Sequence, residues 1–425
     1  MNPGISIEQK RLKYAATIND ESLTEATEPD YELQYIDIGN VDAYGTVQDV
    51  VTYKFEDAPS RARRIARHGD VIISTVRTYL QAIAPIENPP NNLIVSTGFA
   101  VVRPMVNLFD ARYCKYAVRE KRFLWEVESR STGVSYPAIN ASDLVDIKIS
   151  LPTLDTQRLV ADYLDRETAR IDALVAEKEK MLALLEEKRA ALISRAVTRG
   201  LDPTVPLKPS GIDWLGEIPR HWETRRLKYL AHEPLAYGAN EAALEDNPDW
   251  PRFVRITDIK EDGTLREETF RSLSPEIAAP YLLEEGDVLF ARSGATVGKT
   301  FIYRPEWGNA CFAGYLIRFR SAKELVLPDF VYFFTLSDIY WQQVEAGTIR
   351  ATIQNFSAEK YADLIVCVPP PPEQKTIVDS LIYAELRTST LLAELHSSIE
   401  LLKERRSALI TAAVTGEIPV EEMRP

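Results

Sequence analysis

The strongest hint of chemistry in this sequence is the string SGATVGKT at residues 293–300. A phosphate-binding loop needs G-x-x-x-x-G-K-[ST], so that successive backbone amides wrap a phosphate and the lysine reaches its charge. Only three residues separate Gly294 from Gly298, one fewer than that geometry requires, and the string predicts a tight glycine-containing loop. A second string, Asn88-Pro89-Pro90-Asn91, approaches the Asn-Pro-Pro-aromatic motif with which adenine methyltransferases grip an extruded base. The stacking aromatic is absent and no glycine-rich cofactor loop precedes it, so it reads as a surface turn. His68, His221, His232 and His396 lack metal-ligand spacing, and no G-x-S-x-G elbow or paired nuclease carboxylates stand out. The chain itself is expected to be non-catalytic, with no cofactor and no metal.

What remains is binding chemistry. Arginine suits guanine edges and phosphates, asparagine and glutamine suit adenine, and hydroxyls and backbone amides serve phosphate oxygens. Loops after two Gly-Asp-Val strings carry Thr75, Arg77, Thr78 and Tyr79 in one half of the chain, and Arg292, Ser293, Thr296 and Lys299 in the other. A second matched pair of loops, residues 131–140 (STGVSYPAIN) and 347–355 (GTIRATIQN), adds Ser131, Thr132, Ser135 and Tyr136, and Thr348, Arg350 and Thr352. These are the candidate binding contacts. For Arg77 and Arg292 the alternative is an ordinary exposed ion pair. Asn140 and Asn355 each precede a short helical stretch and are read as N-caps.

The formal net charge of −13 speaks against a nucleic-acid partner for the chain as a whole, so any such surface must be local. Further basic clusters lie at Arg61, Arg63, Arg64, Arg67 and His68, and at Arg252 and Arg255, where a solvated charged face is the alternative. Cys114, Cys311 and Cys367 are far apart and odd in number, which predicts reduced, buried thiols and neither zinc nor a disulfide framework. No apolar stretch of about 18 residues appears and the start lacks a secretory segment, so a soluble, cytoplasmic protein is expected.

These loops must be positioned by a scaffold, and the scaffold is duplicated. LPTLDTQRLVADYL at residues 151–164 returns as VPPPPEQKTIVDSL at 368–381, and EKRAALISRAVT at 187–198 returns as ERRSALITAAVT at 404–415, both displaced by 217 residues. Gly69-Asp70-Val71 returns as Gly286-Asp287-Val288 at the same displacement, and RLKY at residues 11–14 recurs at 226–229. Each copy holds a mixed segment, a proline-marked boundary and a long charged, leucine-rich stretch. Short runs such as GDVIIST and FAGYLIRF read as strands, and DARYCKYAVREKRFLWEVE and PDFVYFFTLSDIYWQQVE as helices, giving an α+β class. The expected divisions are globular domains over 1–151 and 201–368, and helical regions over 152–200 and 369–425.

From about residue 156 to 198 and from 373 to 415 no internal Gly or Pro occurs, which predicts two long helices. Apolar positions step by three and four through Ile171, Val175, Leu182, Leu185 and Leu192, and through Leu392, Leu395, Ile399, Leu402 and Leu409. This is a coiled-coil seam, interrupted at Lys178, Arg189, Thr388 and Arg406. Neither helix can bury its stripe alone, and antiparallel pairing, which would put the modules at opposite ends, is the simplest solution. Separate docking of each helix on its own module is the alternative.

Two globular modules alternating with two near-duplicate helices resemble the specificity subunit of type I restriction-modification enzymes. The strings GIDWLGEIPRHWETRRLKYL (211–230), GDVLFARSGATVGK (286–299), VPPPPEQKTIV (368–378) and LLKERRSALITAAVTGEI (401–418) strengthen the likeness, which covers essentially the whole chain. It implies two target-recognition domains that each read half of a split site in double-stranded DNA, and it makes the loop residues above the candidate DNA contacts. It also implies partners: two modification (methyltransferase) subunits, and restriction subunits for translocation and cleavage. One departure is that the first copy lacks the GIDWLGEIPRHW lead-in, and the tail GEIPVEEMRP is a candidate to occupy that gap.

Overall fold

The computed structural model describes residues 8–42, 44–242, 244–260, 263–348 and 355–424. Two compact units divide the chain, Met1–Glu179 with His396–Pro425, and Lys180–Leu395. In the first, an antiparallel sheet runs Ala16–Ile18, Phe99–Pro104, Val71–Ser74, Ile83–Pro85. Its central strand is buried on both faces, which is why it reads as a continuous apolar run. Val71 and Ile73 face a core shared with the helices Ala111–Ala117 and Lys121–Arg130, while Ile72 enters a core shared with a second sheet. That sheet runs Val51–Lys54, Glu32–Ile36, Leu93–Ser96, Ala62–Ile65. A two-stranded ladder of Glu8–Arg11 with Lys148–Leu151 completes the module.

The second unit repeats the plan. Val288–Ala291 is the buried strand of a sheet ordered Ala236–Tyr237, Leu316–Phe319, Val288–Ala291, Thr300–Ile302. Val288 and Phe290 face one core, Leu289 and Ala291 another. Glu223–Arg226 pairs with Ile365–Val368 as Glu8–Arg11 does with Lys148–Leu151. The two stretches read as single helices are each broken in two: Ala111–Ala117 and Lys121–Arg130, and Pro328–Thr335 and Asp338–Thr348. In the first, one helix closes at its C-cap Val118 and Glu120 caps the next by accepting from the amides of Arg122 and Phe123.

The motifs that reveal the repeat are scaffold. Asp70, 1% exposed, takes two hydrogen bonds of 2.9 Å from Arg103, and Asp287 takes two of 2.8 Å from Arg320. The amide of Gln157 donates to the Leu108 and Pro152 carbonyls and accepts from the Asp110 amide. Gln374 does the same with Leu325, Pro369 and Leu327, and both glutamines are fully buried.

The long helices are Leu154–Arg199, 46 residues, and Pro371–Thr415, 45 residues, the latter opening on prolines that the first turn tolerates. They pair antiparallel. In the first unit Val160, Ala161 and Leu164 share a core with Ile410, Ala413 and Val414, and in the second Ile193, Ala196 and Val197 share one with Ile377, Val378 and Leu381. Ile171 and Ile399 are buried, and Val175, Leu182, Leu185, Leu392, Leu395, Leu402 and Leu409 are half-buried. Leu192 is a correction: it is 40% exposed and Ile193 is buried in its place, because the step after Arg189 is four residues and not three. The two arginines in the seam are matched, Arg406 Nε to Asp172 at 2.8 Å and Arg189 Nε to Glu385 at 2.8 Å. In the first unit the tail packs on the core, with Met423 1% exposed and Ile418 against it. In the second unit Leu215, Ile218 and Trp222 of the segment at 211–222 join the core.

Candidate nucleic-acid interface

In the first unit the loop leaving Val71–Ser74 and the loop at residues 131–138 form one surface. Isolated bridges join Val76 to Ala138 and Thr132 to Ala138, and the Ile139 amide donates to the Thr75 carbonyl at 2.8 Å. Three candidates are committed to holding this surface together. Thr75 Oγ1 donates to the Gly98 carbonyl at 2.8 Å, and buried Thr78 exchanges a 2.9 Å bond with Ser131, whose hydroxyl also reaches the Val127 carbonyl. Their hydroxyls are hydrogen-bonded within the loops. Arg77, Tyr79, Thr132, Ser135 and Tyr136 are exposed, with Val134 fully exposed between them.

Arg77 stands out by its backbone and by its partners. Its φ of 51° and ψ of 49° lie in the left-handed region, which costs a side chain with a Cβ roughly 1 kcal/mol. Its guanidinium lies 4.9 Å from the Tyr136 ring centroid and makes no ion pair or hydrogen bond among the described residues. A strained, stacked cation without a carboxylate is a donor set held ready for an outside acceptor.

The second unit builds the equivalent surface differently. Phe356 donates to the Arg292 carbonyl at 2.8 Å and Ser293 bridges Asn355, matching the bonds at Thr75 and Val76. By that correspondence Arg292 occupies the place of Thr75, while the place of Arg77 is taken by Gly294 at φ 73°. Arg292 is half-buried, stacks 4.9 Å from the Tyr237 ring centroid and donates to the Gly314 carbonyl at 3.3 Å. Its Nε is buried and finds no acceptor among the described residues. Lys299 is exposed and without a charged partner among them. Thr296 bonds back to the Ser293 carbonyl, and Thr348 to that of Val344 in its own helix. Arg350 and Thr352 lie outside the described residues. Tyr237 and exposed Tyr315, whose carbonyl accepts from the Arg292 amide, were missed in the sequence because neither lies in the two expected loops.

Other expectations resolve locally. The amide of Gly298, in the phosphate-loop look-alike, donates to Tyr361 Oη at 3.1 Å and its carbonyl accepts from Tyr340 at 2.7 Å, so this backbone already has protein partners. Asn140 precedes Ala141–Val145 without a side-chain cap bond, and Ala358–Ala362 is capped by Ser357, not Asn355, which bridges Ser293. In the basic clusters Arg61, Arg63 and Arg67 pair with Asp37, Glu25 and Glu21, Arg64 is half-buried, and Arg252 and Arg255 pair with Glu267 and Asp258. Cys114, Cys311 and Cys367 are buried, and no group of three or more His, Cys, Asp or Glu that could hold a metal occurs among the described residues. None of the helices described is long and apolar enough to cross a membrane.

The family profile described as type I restriction modification DNA specificity domain matches residues 24–183 and 219–401, one match per copy of the repeat. The chain is 22% identical over 335 residues to the type I restriction enzyme EcoBI specificity subunit of Escherichia coli, covering 74% of this chain and 70% of that protein. It is 22% identical over 358 residues to the putative MjaX specificity subunit of Methanocaldococcus jannaschii, covering 83% and 79%. Among solved structures, a chain described with the complex assembly and conformational transition of the type I R-M system superposes with a TM-score of 0.77 at 21% identity, over 98% of this chain and 99% of that one. The HsdS subunit from Thermoanaerobacter tengcongensis gives 0.52 at 22% identity, over 98% of both chains.

Proposed function

The chain belongs to the type I restriction-modification DNA specificity family, and from that premise we propose that its two loop surfaces read the two halves of a split DNA site. Specificity subunits of this family are non-catalytic: they recognise a bipartite sequence and direct methylation and cleavage by other subunits of the complex. The target-recognition domains of this chain span residues 1–151 and 201–368, with helical spacers over 152–200 and 369–425. Its partners are two modification subunits and the restriction subunits, and the assembly works on double-stranded DNA in the cytoplasm.

The observation that carries the base-reading role is the pair of arginines stacked on tyrosines, Arg77 on Tyr136 and Arg292 on Tyr237, at non-equivalent places of equivalent loops. Nearly every other arginine named above is paired with an internal carboxylate; among the described residues these two are not. A planar fork with free donors is suited to the O6 and N7 acceptors of guanine. Because the forks sit at different positions, the two units present different donor patterns, as reading two different half-sites requires.

The experiment is co-expression with the cognate methyltransferase subunit. The two should co-purify and methylate duplex DNA at one split sequence, while either alone does not. A chain that stays apart from that subunit at micromolar concentration contradicts the reading.

A further inference from the structure

The RLKY repeat is absorbed neither by the core nor by the base-reading loops. Leu12 and Leu227 are fully buried, but the residues around them point outward in the same way in both units. Lys13 reaches Asp146 at 2.6 Å and Arg11 the same oxygen at 3.4 Å; Lys228 and Arg226 reach Asp363 at 2.8 and 2.9 Å. The lysines lie 5.5 and 5.4 Å from the ring centroids of Tyr14 and Tyr229, which are 59% and 64% exposed. The cations hold both aspartates below their ordinary carboxylate range, the lysine hydrogen bond contributing most. Each cluster is thus a fixed pair of cations around one carboxylate, with a net positive charge and an exposed phenol, on a chain whose total charge is −13.

Two copies that have diverged at the loops, arginine against glycine and threonine against arginine, retain this exposed arrangement. Packing does not explain an open tyrosine, and base reading does not explain sameness where the half-sites differ. The geometry points to a sequence-independent contact with the DNA backbone: Arg11, Lys13 and Tyr14, and Arg226, Lys228 and Tyr229, bind one phosphate group per unit. This rests on the DNA-binding reading above. Arginine, lysine and tyrosine are the usual donors to phosphate oxygens, and such contacts fix register without reading sequence. Position agrees. The aspartates close the short helices Ala141–Val145 and Ala358–Ala362, which follow directly on the candidate loops, so each cluster stands about 8 Å of helix from a base-reading surface. A protein partner is the poorer fit, since the strands leading in, EQKR and ETRR, offer no apolar patch beside the tyrosine.

The test uses the chain assembled with its methyltransferase subunits and a 40-base-pair duplex of arbitrary sequence, titrated by fluorescence anisotropy over a range of salt. The double variants Lys13→Ala/Tyr14→Ala and Lys228→Ala/Tyr229→Ala should each weaken binding roughly three- to tenfold and lower the slope of log K against log salt by about 0.9. The ratio of cognate to arbitrary affinity stays unchanged, and Lys13→Arg keeps most of the binding. Unchanged affinity and slope in assembled variants overturn the inference. So does a loss confined to one half-site sequence, or a loss of methyltransferase co-purification alone, which would make the clusters a protein-docking surface. A wild-type complex that binds the arbitrary duplex with this slope but prefers no split site would contradict the functional reading and leave the phosphate contacts standing.

Discussion

A single guanidinium that forms a bidentate bond with guanine is worth about 1–3 kcal/mol against the wrong base. Arg77→Ala should therefore relax recognition in one half-site and Arg292→Ala in the other, read by binding to duplexes mutated singly in each half. Equal weakening on every sequence, with a smaller salt slope, would reassign either arginine to phosphate. Arg292 has a second consequence because it is half-buried and its Nε lacks an acceptor. The free chain carries a desolvated donor there, and Arg292→Met should cost little stability while still losing its half-site. Burial raises all three thiols, Cys311 and Cys367 to about 12 and Cys114 higher still. Since reaction needs the thiolate, which a raised value makes scarce at pH 8, a thiol reagent should label none of them until the chain unfolds. Fast labelling at pH 8 would mean one of these sites opens in the native state. Arg77 was visible in the sequence as an arginine in a loop after a strand. Its lack of an ion pair among the described residues was not, because whether Arg67 or Arg77 finds a carboxylate depends on folding that brings Glu21 to one and none of the described carboxylates to the other.

The elements were legible where periodicity is long and breakers are absent. Both long helices were read to within two residues at their amino ends and one at their carboxyl ends, since some forty residues without glycine or proline leave little else to form. Shorter apolar runs misled: residues 111–130 look like one amphipathic helix, yet Glu120 caps a new one, a choice made by its side chain meeting two amides. The seam drifted at Leu192 for a related reason, since a step of three or of four both look periodic and only packing against the module selects Ile193. The fully buried glutamines tie each long helix to its module. Gln157→Ala or Gln374→Ala would leave two carbonyls and an amide without that partner, a loss of about 2–4 kcal/mol. Thermal melts of the two variants should each show the affected transition lowered by several degrees, and an unchanged melt would mean water replaces the amide. Asp172→Ala should be milder, about 1 kcal/mol, because the carboxylate is 45% exposed although Arg406 is only 13% exposed.

For the whole chain, the displacement of 217 residues makes the twofold plan readable in the sequence, and the structure repeats it down to the oxygen atoms that Asp70 and Asp287 offer to Arg103 and Arg320. The repeat also carries an asymmetry. The same displacement sets Thr75 against Arg292 and Arg77 against Gly294, and the backbone pairing of the two loops agrees with it. Non-equivalent readers on an equivalent frame are what a recognition subunit with two unlike half-sites needs. The central claim, that this chain supplies the sequence choice of a DNA-modifying complex, is tested most directly by mapping methylated adenines across the host genome with the gene intact and deleted. The account predicts one split motif, modified in the parent and unmodified throughout in the deletion strain, and restored in only one half with altered bases by Arg77→Ala. A methylation map identical in the two strains, with the cognate methyltransferase expressed in both, would contradict it.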